Sequence, residues 1–235
     1  MHFLAQVVEW FTTASHWHGA GGVPQRLLEH VALSASAMAV AIAVALPVGM
    51  TLGHVRRGGV FAINVANIGR ALPSLGLLVL AASAMHSISS GPARVALIAL
   101  AIPPILTNTF IGVRDVDADI REAARGMGLS GGQVLRRVEA PLALPLIVAG
   151  IRTAAVNVVA TATLAAIVAG GGLGRYIVDG IAQQDQPQAF AGAFLVAVLS
   201  VATELSLGAV QRRVAAPSAT VRRRGEEELA HAFKP

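Results

Sequence analysis

The chain contains no cysteine and few charged or aromatic residues. Without cysteine, neither a disulfide framework nor a metal site built on thiolates is possible. Charged residues make up 13% of the 235 residues, whereas soluble proteins carry about 25%. Aromatic residues account for 4% and hydrophobic residues for 54%, and the mean hydropathy is +0.65. This composition excludes an ordinary soluble domain.

Five long apolar runs divide the chain. They cover about Leu33–Leu52, Ala71–Met85, Ala93–Val113, Leu142–Ala169 and Ala189–Val210. A helix needs about 20 residues to cross a bilayer core, a length that four of the runs reach and Ala71–Met85 does not. The pattern predicts an all-α, polytopic helical membrane protein. A soluble helical protein with a very apolar core is the alternative, but its core helices would not need apolar residues all around the axis.

The basic residues predict how the chain crosses the membrane. Basic residues near span ends favour the cytoplasmic side, and most arginines of this chain flank or separate the apolar runs. If the 114–140 loop is inside, the N-terminus is outside and the C-terminus is cytoplasmic. The arginines left on the outside are then Arg26, Arg94 and Arg175.

The segment Gly58–Met85 decides the number of spans. Two crossings here would move the 114–140 loop to the outside, so we interpret the segment as one crossing. Phe61–Leu72, with Asn64, Asn67 and Arg70, is then an interfacial helix that leads into a short span from about Pro73. About 15 residues reach only ~22 Å at 1.5 Å per residue. The sequence therefore predicts five spans, with six as the alternative.

Three regions follow from this topology. Residues 1–29 form an extracytoplasmic N-terminal segment, residues 30–213 the membrane domain, and residues 214–235 a polar cytoplasmic tail, disordered or loosely helical. The N-terminus does not resemble a cleaved signal peptide. His16 and His18 lack a third ligand, so we predict no metal site.

A polar loop over residues 114–141 separates the third and fourth long apolar runs. Asp117–Met127 has the pattern of a helix with Ile120, Ala123, Ala124 and Met127 on one face. Gly128 is expected to end this helix. Ser130-Gly131-Gly132-Gln133 matches a capping box that starts a second helix, which Pro141 is expected to close. A loop that merely connects two spans is the alternative.

The same residues resemble the EAA loop of ABC-importer permeases. The family pattern is present as Glu122, Ala123, Ala124, Gly128, Val138 and Pro141, with Ala140 in place of the usual leucine. Further segments over about residues 30–212 are similar to the osmoprotectant branch of these permeases: Leu46-Pro47-Val48-Gly49, Ala71-Leu72-Pro73-Ser74-Leu75, Ile102-Pro103-Pro104-Ile105-Leu106, Gly150-Ile151-Arg152-Thr153 and Gly170-Gly171-Gly172-Leu173-Gly174.

The resemblance implies a type I ABC-importer permease fold and three partners besides the membrane. These are a separate ATP-binding subunit, an extracytoplasmic solute-binding protein, and a second permease copy or paralogue. It also implies that loop 114–141 docks on the ATPase through Glu122, Ala123, Ala124, Gly128 and Pro141. The chain has no Gly-rich Lys-Ser/Thr phosphate loop, so ATP is expected on the partner, with no cofactor here. No catalytic set and no nucleic-acid partner is predicted.

Four polar residues of the predicted spans are candidates for a solute pathway or for structural pairs: Asn108, Arg152, Asn157 and Glu204. Ionisable groups at membrane depth usually face protein or water rather than lipid. Gly170–Gly174 is either a flexible contact for the binding protein or a simple tight loop.

The resemblance implies import of an osmoprotectant such as glycine betaine, choline, carnitine or proline. A permease for another small solute such as methionine is an alternative within the superfamily. A secondary transporter would more often show internal repeats, and an intramembrane enzyme would need a nucleophile and base or a metal cluster. Neither pattern is evident in the sequence.

Overall fold

The computed structural model describes residues 2–59, 64, 71, 73–87, 89–168 and 170–232, with side chains described up to residue 215. Every secondary-structure element in these ranges is helical. The helices are α1 (His2–Thr12), α2 (Val23–Val55), α3 (Ser74–Met85), α4 (Ser90–Arg114), α5 (Ala118–Gly126), α6 (Gly131–Val134), α7 (Ala140–Thr161), α8 (Gly174–Gln183) and α9 (Gln186–Ala232). A π turn (Leu135–Glu139) joins α6 to α7, and 3-10 turns cover Ala14–Trp17 and Ala162–Val168.

Four of these helical stretches are long and apolar enough to cross a membrane. They are Val23–Val55, Ser90–Arg114, Gly131–Val168 and Gln186–Ala215, and Ser74–Met85 is a shorter apolar helix. The prediction of an all-α polytopic membrane protein is confirmed. With 12 residues, α3 reaches about 18 Å at 1.5 Å per residue.

Pro73 precedes α3 in an extended conformation with ψ 124°, so the short helix begins where the sequence predicts. Proline cannot donate a backbone hydrogen bond, which makes a helix start one of its natural positions. The predicted interfacial helix Phe61–Leu72 lies, apart from two isolated positions, outside the described residues.

Helix α4 lies at the centre of the bundle, between α2 and α7. The contacts are made by small side chains that are fully buried, including Ala41, Ala101 and Ala154. Small residues let helix backbones approach closely. In a bilayer no hydrophobic driving force brings helices together, so they associate through such close packing. The centre of the protein is therefore a tightly packed three-helix unit.

Two glycines show how close these helices lie. A Cβ at Gly53 would be 2.8 Å from the Val113 Cβ and 2.9 Å from the Phe110 carbonyl oxygen. A Cβ at Gly150 would be 2.7 Å from the Asn108 Cβ and 2.8 Å from the Pro104 carbonyl oxygen. Glycine is required at both positions because part of each obstacle is backbone, which cannot rotate away.

The end of the protein opposite to the polar loop has more structure than the sequence indicates. Helix α1 packs against α9, with Trp10 edge-on to Tyr176 at a centroid distance of 5.3 Å. The Tyr176 hydroxyl donates to the Gly21 carbonyl at 2.6 Å. The predicted N-terminal segment thus contains a helix, and α2 begins at Val23, before the apolar run.

The glycine-rich run Gly170–Gly174 is bonded to the start of α2 at this same end. The Glu29 carboxylate accepts a hydrogen bond of 2.8 Å from the Gly172 N–H, and Gly172 has φ +85°. One ring nitrogen of His30 lies 2.9 Å from the Val159 carbonyl oxygen. These contacts favour the tight-loop interpretation of the run over the flexible one.

Replacing Gly150 by alanine is expected to lower the melting temperature of the detergent-solubilised protein. Overpacking costs about 1–3 kcal/mol, more than the gain of about 0.5–1 kcal/mol from replacing a helical glycine. The matched control is Gly132→Ala, because a Cβ at Gly132 would meet no atom within 4 Å. The melting temperature is read by size exclusion after heating. Equal values for the two variants would contradict the packing described above.

Candidate functional site in the polar loop

Helix α5 begins at an aspartate and carries charges suited to its dipole. The Asp117 side chain accepts a hydrogen bond of 2.8 Å from the Asp119 N–H, which satisfies one of the free amides of the first turn. Asp119 lies in the first turn and Arg125 in the last, where the helix dipole favours an acid and a base, respectively. This nine-residue helix is therefore well defined at its N-terminus by local sequence alone.

Gly128 ends α5, as the sequence predicts. It has φ +84°, and its N–H donates to the Arg125 carbonyl at 2.9 Å. The N–H of Leu129 donates to the Ala124 carbonyl at 3.2 Å. Together these bonds form a Schellman motif, which needs a left-handed residue at the position of Gly128.

The second predicted helix begins at the expected capping box but does not end at Pro141. The Ser130 N–H donates to the Gln133 side chain at 2.8 Å, and α6 follows. The chain then continues through the π turn into α7, so that Gly131–Val168 is one helical stretch. The prediction that Pro141 closes a separate helix is wrong.

The π turn explains why Pro141 does not break the helix. Ala140 donates its backbone N–H to the Leu135 carbonyl, five residues earlier, so the helix is wider here than an α-helix. Pro141 occupies the first turn of α7, where its missing N–H leaves few bonds unmade. Such π turns occur frequently at functional sites.

The five predicted docking residues do not share one surface. Glu122, Ala123, Gly128 and Pro141 are exposed, whereas Ala124 is buried against the rest of the chain. The predicted apolar face of α5 is also divided, since Ile120 and Met127 are exposed. The structure thus presents an outer surface of α5 formed by Ile120, Glu122, Ala123 and Met127.

Arg121 is buried on the inner side of α5, although the sequence analysis assigned it no role. Its side chain meets Glu139 of the π turn, with the Arg121 Nε 2.8 Å from the Glu139 Oε1. Glu139 is 0% exposed and Arg121 7% exposed. The contact is an ion pair without the alignment of a hydrogen bond, and the Arg121 Nη1 has no hydrogen-bond partner in the described part of the chain.

His54, at the end of α2, contacts the same carboxylate from a second direction. Its Nδ1 lies 2.5 Å from the Glu139 Oε2. Glu139 therefore joins three elements: α2, α5 and the π turn that leads into α7. Removing one partner of a buried ion pair typically costs about 3–5 kcal/mol, because the other charge is left uncompensated. We call Arg121, His54 and Glu139 the buried charge cluster; its His54 side chain is 20% exposed.

One sequence signal pointed to this cluster. Glu139 stands three residues before Leu142, the start of the apolar run Leu142–Ala169, and a carboxylate at a span end needs protein or water around it. Its partners were not identifiable, since His54 is 85 residues away. Arg121 differs little in sequence context from the exposed Arg125.

Two further contacts hold the loop at the ends of α2 and α4. The Arg56 Nη2 donates to the Val116 carbonyl at 3.1 Å. The Arg114 Nε donates to the Asp115 carboxylate at 2.6 Å, and this bond lowers the pKa of the Asp115 carboxyl from its usual value. Since both side chains of the Arg114–Asp115 pair are substantially exposed, solvent screening leaves it a small effect on stability.

Of the four polar residues predicted in the spans, the structure brings two together. Arg152 of α7 forms an ion pair with Glu204 of α9, and the Arg152 Nη1 also donates to Gln211 at 2.8 Å. The Asn108 amide donates to the Pro104 carbonyl within α4 at 2.8 Å. Asn157 is exposed on α7. Whether any of them lines a pathway stays a prediction.

Residues 41–216 match the family described as the binding-protein-dependent transport system inner membrane component. The fold is similar to that in an inward-facing structure of the MetNI methionine ABC transporter. The TM-score is 0.71 at 23% identity, over 82% of this chain and 96% of that chain.

Three curated relatives illustrate the sequence similarity. The glycine betaine/carnitine/choline transport system permease protein OpuCB of Bacillus subtilis is 36% identical, over 79% of this chain and 85% of the relative. The choline transport system permease protein OpuBB of Bacillus subtilis is 34% identical, over 91% and 94%. The osmoprotectant import permease protein OsmW of Salmonella typhimurium is 32% identical, over 82% and 91%.

Replacing Gly128 by alanine is expected to loosen the end of α5. A Cβ there meets no atom within 4 Å, so the cost arises from the left-handed backbone alone, about 1–2 kcal/mol. The backbone amides of Gly128 and Leu129 should then exchange faster with deuterium, as measured by mass spectrometry. Gly126→Ala is the control, because that position is equally open and helical. Unchanged exchange in the Gly128 variant would refute the role of the turn.

Proposed function

This chain belongs to the family of binding-protein-dependent transport system inner membrane components, and we propose that it is the permease subunit of an ATP-driven importer of osmoprotectants. Four long apolar stretches and one short one support a multi-pass membrane subunit. The observation that carries the proposal is the outer surface of α5, a capped helix beside the spans whose outer side chains are exposed in the described part of the chain.

The proposed solutes are glycine betaine, choline, carnitine and proline-type compounds. The support comes from the relatives, which span most of this chain and are named for transport of glycine betaine, carnitine and choline or of choline. Aromatic side chains, which often enclose quaternary ammonium groups, are 4% of the chain. We therefore place most solute selection on a separate extracytoplasmic binding protein.

We place the ATPase on a separate subunit that docks at the polar loop. A phosphate-binding loop uses a lysine within a glycine-rich turn, and the lysine of this chain is Lys234, close to its C-terminal end. Glu122 and Met127 project from α5 into solvent, where a partner's cleft would receive them. Gly128 supports the docking surface by ending the helix, and Ala124 by packing it against the chain.

The proposed orientation has the polar loop and C-terminus in the cytoplasm and the N-terminus outside. Arg121, Arg125, Arg136 and Arg137 all lie in the loop, and basic residues near span ends favour the cytoplasmic side. The opposite end, with α1, α8 and the glycine-rich run, then faces the solute-binding protein.

A second permease copy or paralogue is proposed to complete the solute pathway. Asn157 lies near the middle of the apolar run Leu142–Ala169 and is exposed in the isolated chain. A polar side chain at this depth faces protein or water rather than lipid. The exposed side of α7 is therefore our candidate for the pathway or for the surface between the two permeases.

A single engineered cysteine tests both docking and orientation, since the chain has none of its own. Met127 and Ile181 are 75% and 68% exposed and lie at opposite ends. With a photoreactive maleimide, Met127→Cys should cross-link to the ATPase in membranes, and Ile181→Cys should not. In intact spheroplasts, an impermeant maleimide should label Ile181→Cys only. Labelling of Met127→Cys from outside would reverse the proposed orientation.

Uptake measurements test the function itself. The chain is expressed with its ATPase and binding protein in cells that lack betaine uptake, and labelled glycine betaine and choline are supplied. We expect ATP-dependent uptake with the wild-type chain. Glu122→Lys should abolish it, because the substitution reverses a charge on the outer surface of α5, the proposed docking surface. Arg212→Glu also reverses a charge, at an exposed position of α9 outside the docking surface, and should retain uptake. Uptake that persists without the ATPase would exclude the importer mechanism.

A further inference from the structure

The buried charge cluster lies where the polar loop meets the membrane helices. Glu139 contributes both carboxylate oxygens, one 2.8 Å from the Arg121 Nε and the other 2.5 Å from the His54 Nδ1. No part of Glu139 is exposed. Three elements that are separate in sequence therefore meet at one side chain, namely α2, α5 and the π turn that leads into α7.

Stability alone does not account for such a cluster. A buried ion pair can often be replaced by apolar residues without loss of stability, because desolvation offsets much of the attraction. The Arg121 Nη1 also remains buried without a hydrogen-bond partner in the described part of the chain. What the cluster does provide is a geometric constraint, since separating α5 from the π turn would leave a buried carboxylate and a buried guanidinium uncompensated.

The two sides of α5 have different contacts. Glu122, Ala123 and Met127 are exposed on the outer side, where the ATPase is proposed to dock, and Arg121 is buried on the inner side. The side-chain contacts between α5 and the spans are therefore made by its inner side. Arg56 reinforces the same connection by its 3.1 Å bond from the end of α2 to the Val116 carbonyl.

We propose that Glu139 is the positioning residue that makes α5, the end of α2 and the beginning of α7 move as one body when the ATPase displaces α5. Glu139 contacts neither ATP nor solute; it acts through Arg121 and His54. The inference rests on the proposed importer function and assigns a role to a residue outside the docking surface. Without the Glu139 charge, α5 would still dock on the ATPase. It would then move relative to α2 and α7 instead of moving with them.

The test is to measure ATP hydrolysis and uptake together in Glu139→Gln. Glutamine keeps the size of the side chain and removes its charge. In proteoliposomes that contain the full importer, we expect the ATPase to copurify at the wild-type level and to hydrolyse ATP. The transport ratio, which is the number of glycine betaine or choline molecules transported per ATP hydrolysed, should fall at least about fivefold. This is the lower end of the usual coupling between two sites.

Two further variants separate positioning from a general loss of structure. Arg137→Gln removes a charge from the same π turn at an exposed position and should leave the transport ratio unchanged. The exchange of Arg121→Glu with Glu139→Arg restores opposite charges and should recover part of the ratio lost in Glu139→Gln. If Glu139→Gln does not reach the membrane, His54→Gln, which removes one partner of the carboxylate, should lower the ratio in the same direction.

Distinct results would overturn the inference. A wild-type ratio in Glu139→Gln would show that the charge is not needed for coupling. A parallel fall in hydrolysis, uptake and copurified ATPase would make the cluster a structural support of the docking surface. Failure of the proposed function is recognised separately, because the wild-type assembly would then show no ATP-driven uptake of either solute.

Discussion

Glu139 is fully withdrawn from solvent, so its carboxylate depends on the Arg121 guanidinium for compensation of its charge and on the His54 ring for a second polar contact. This dependence connects the polar loop to the membrane helices. Helix α5 is short, and a helix of nine residues is marginal by itself. Its position relative to the spans therefore rests on the buried charge cluster, on the packing of Ala124 and on the capped turns at its two ends.

The membrane helices to which the polar loop is connected are closely packed against one another. Small residues hold α4 between α2 and α7, so closely that no Cβ fits at Gly53 or Gly150. The Arg152–Glu204 pair joins α7 to α9. At the opposite end, the Glu29 contact with Gly172 ties the glycine-rich run to α2. These contacts join α2, α4, α7, α9 and the glycine-rich run into one connected bundle.

Most of the fold was predictable because it follows from local rules. Apolar runs about 20 residues long identify spans, and the turn at Gly128 follows from a glycine after an alanine-rich helix. The role of Pro141 was misjudged because the π turn depends on tertiary packing around Glu139, a contact with a residue 85 positions away. Helices α1 and α8 were missed because each is short and neither coincides with an apolar run. The partners of Glu139 were not identifiable from the sequence, since Arg121 and the exposed Arg125 have similar sequence contexts.

The central claim is that α5 and the end of α2 move as one body, and a distance within one chain tests it directly. Spin labels at Met127→Cys and Val55→Cys, both exposed positions, report this distance by pulsed electron paramagnetic resonance, with one labelled chain per assembled importer. The account predicts the same narrow distance distribution without nucleotide and with bound ATP. A shift of several ångströms on ATP binding, with uptake intact, would show that α5 moves independently of α2 and would contradict the account.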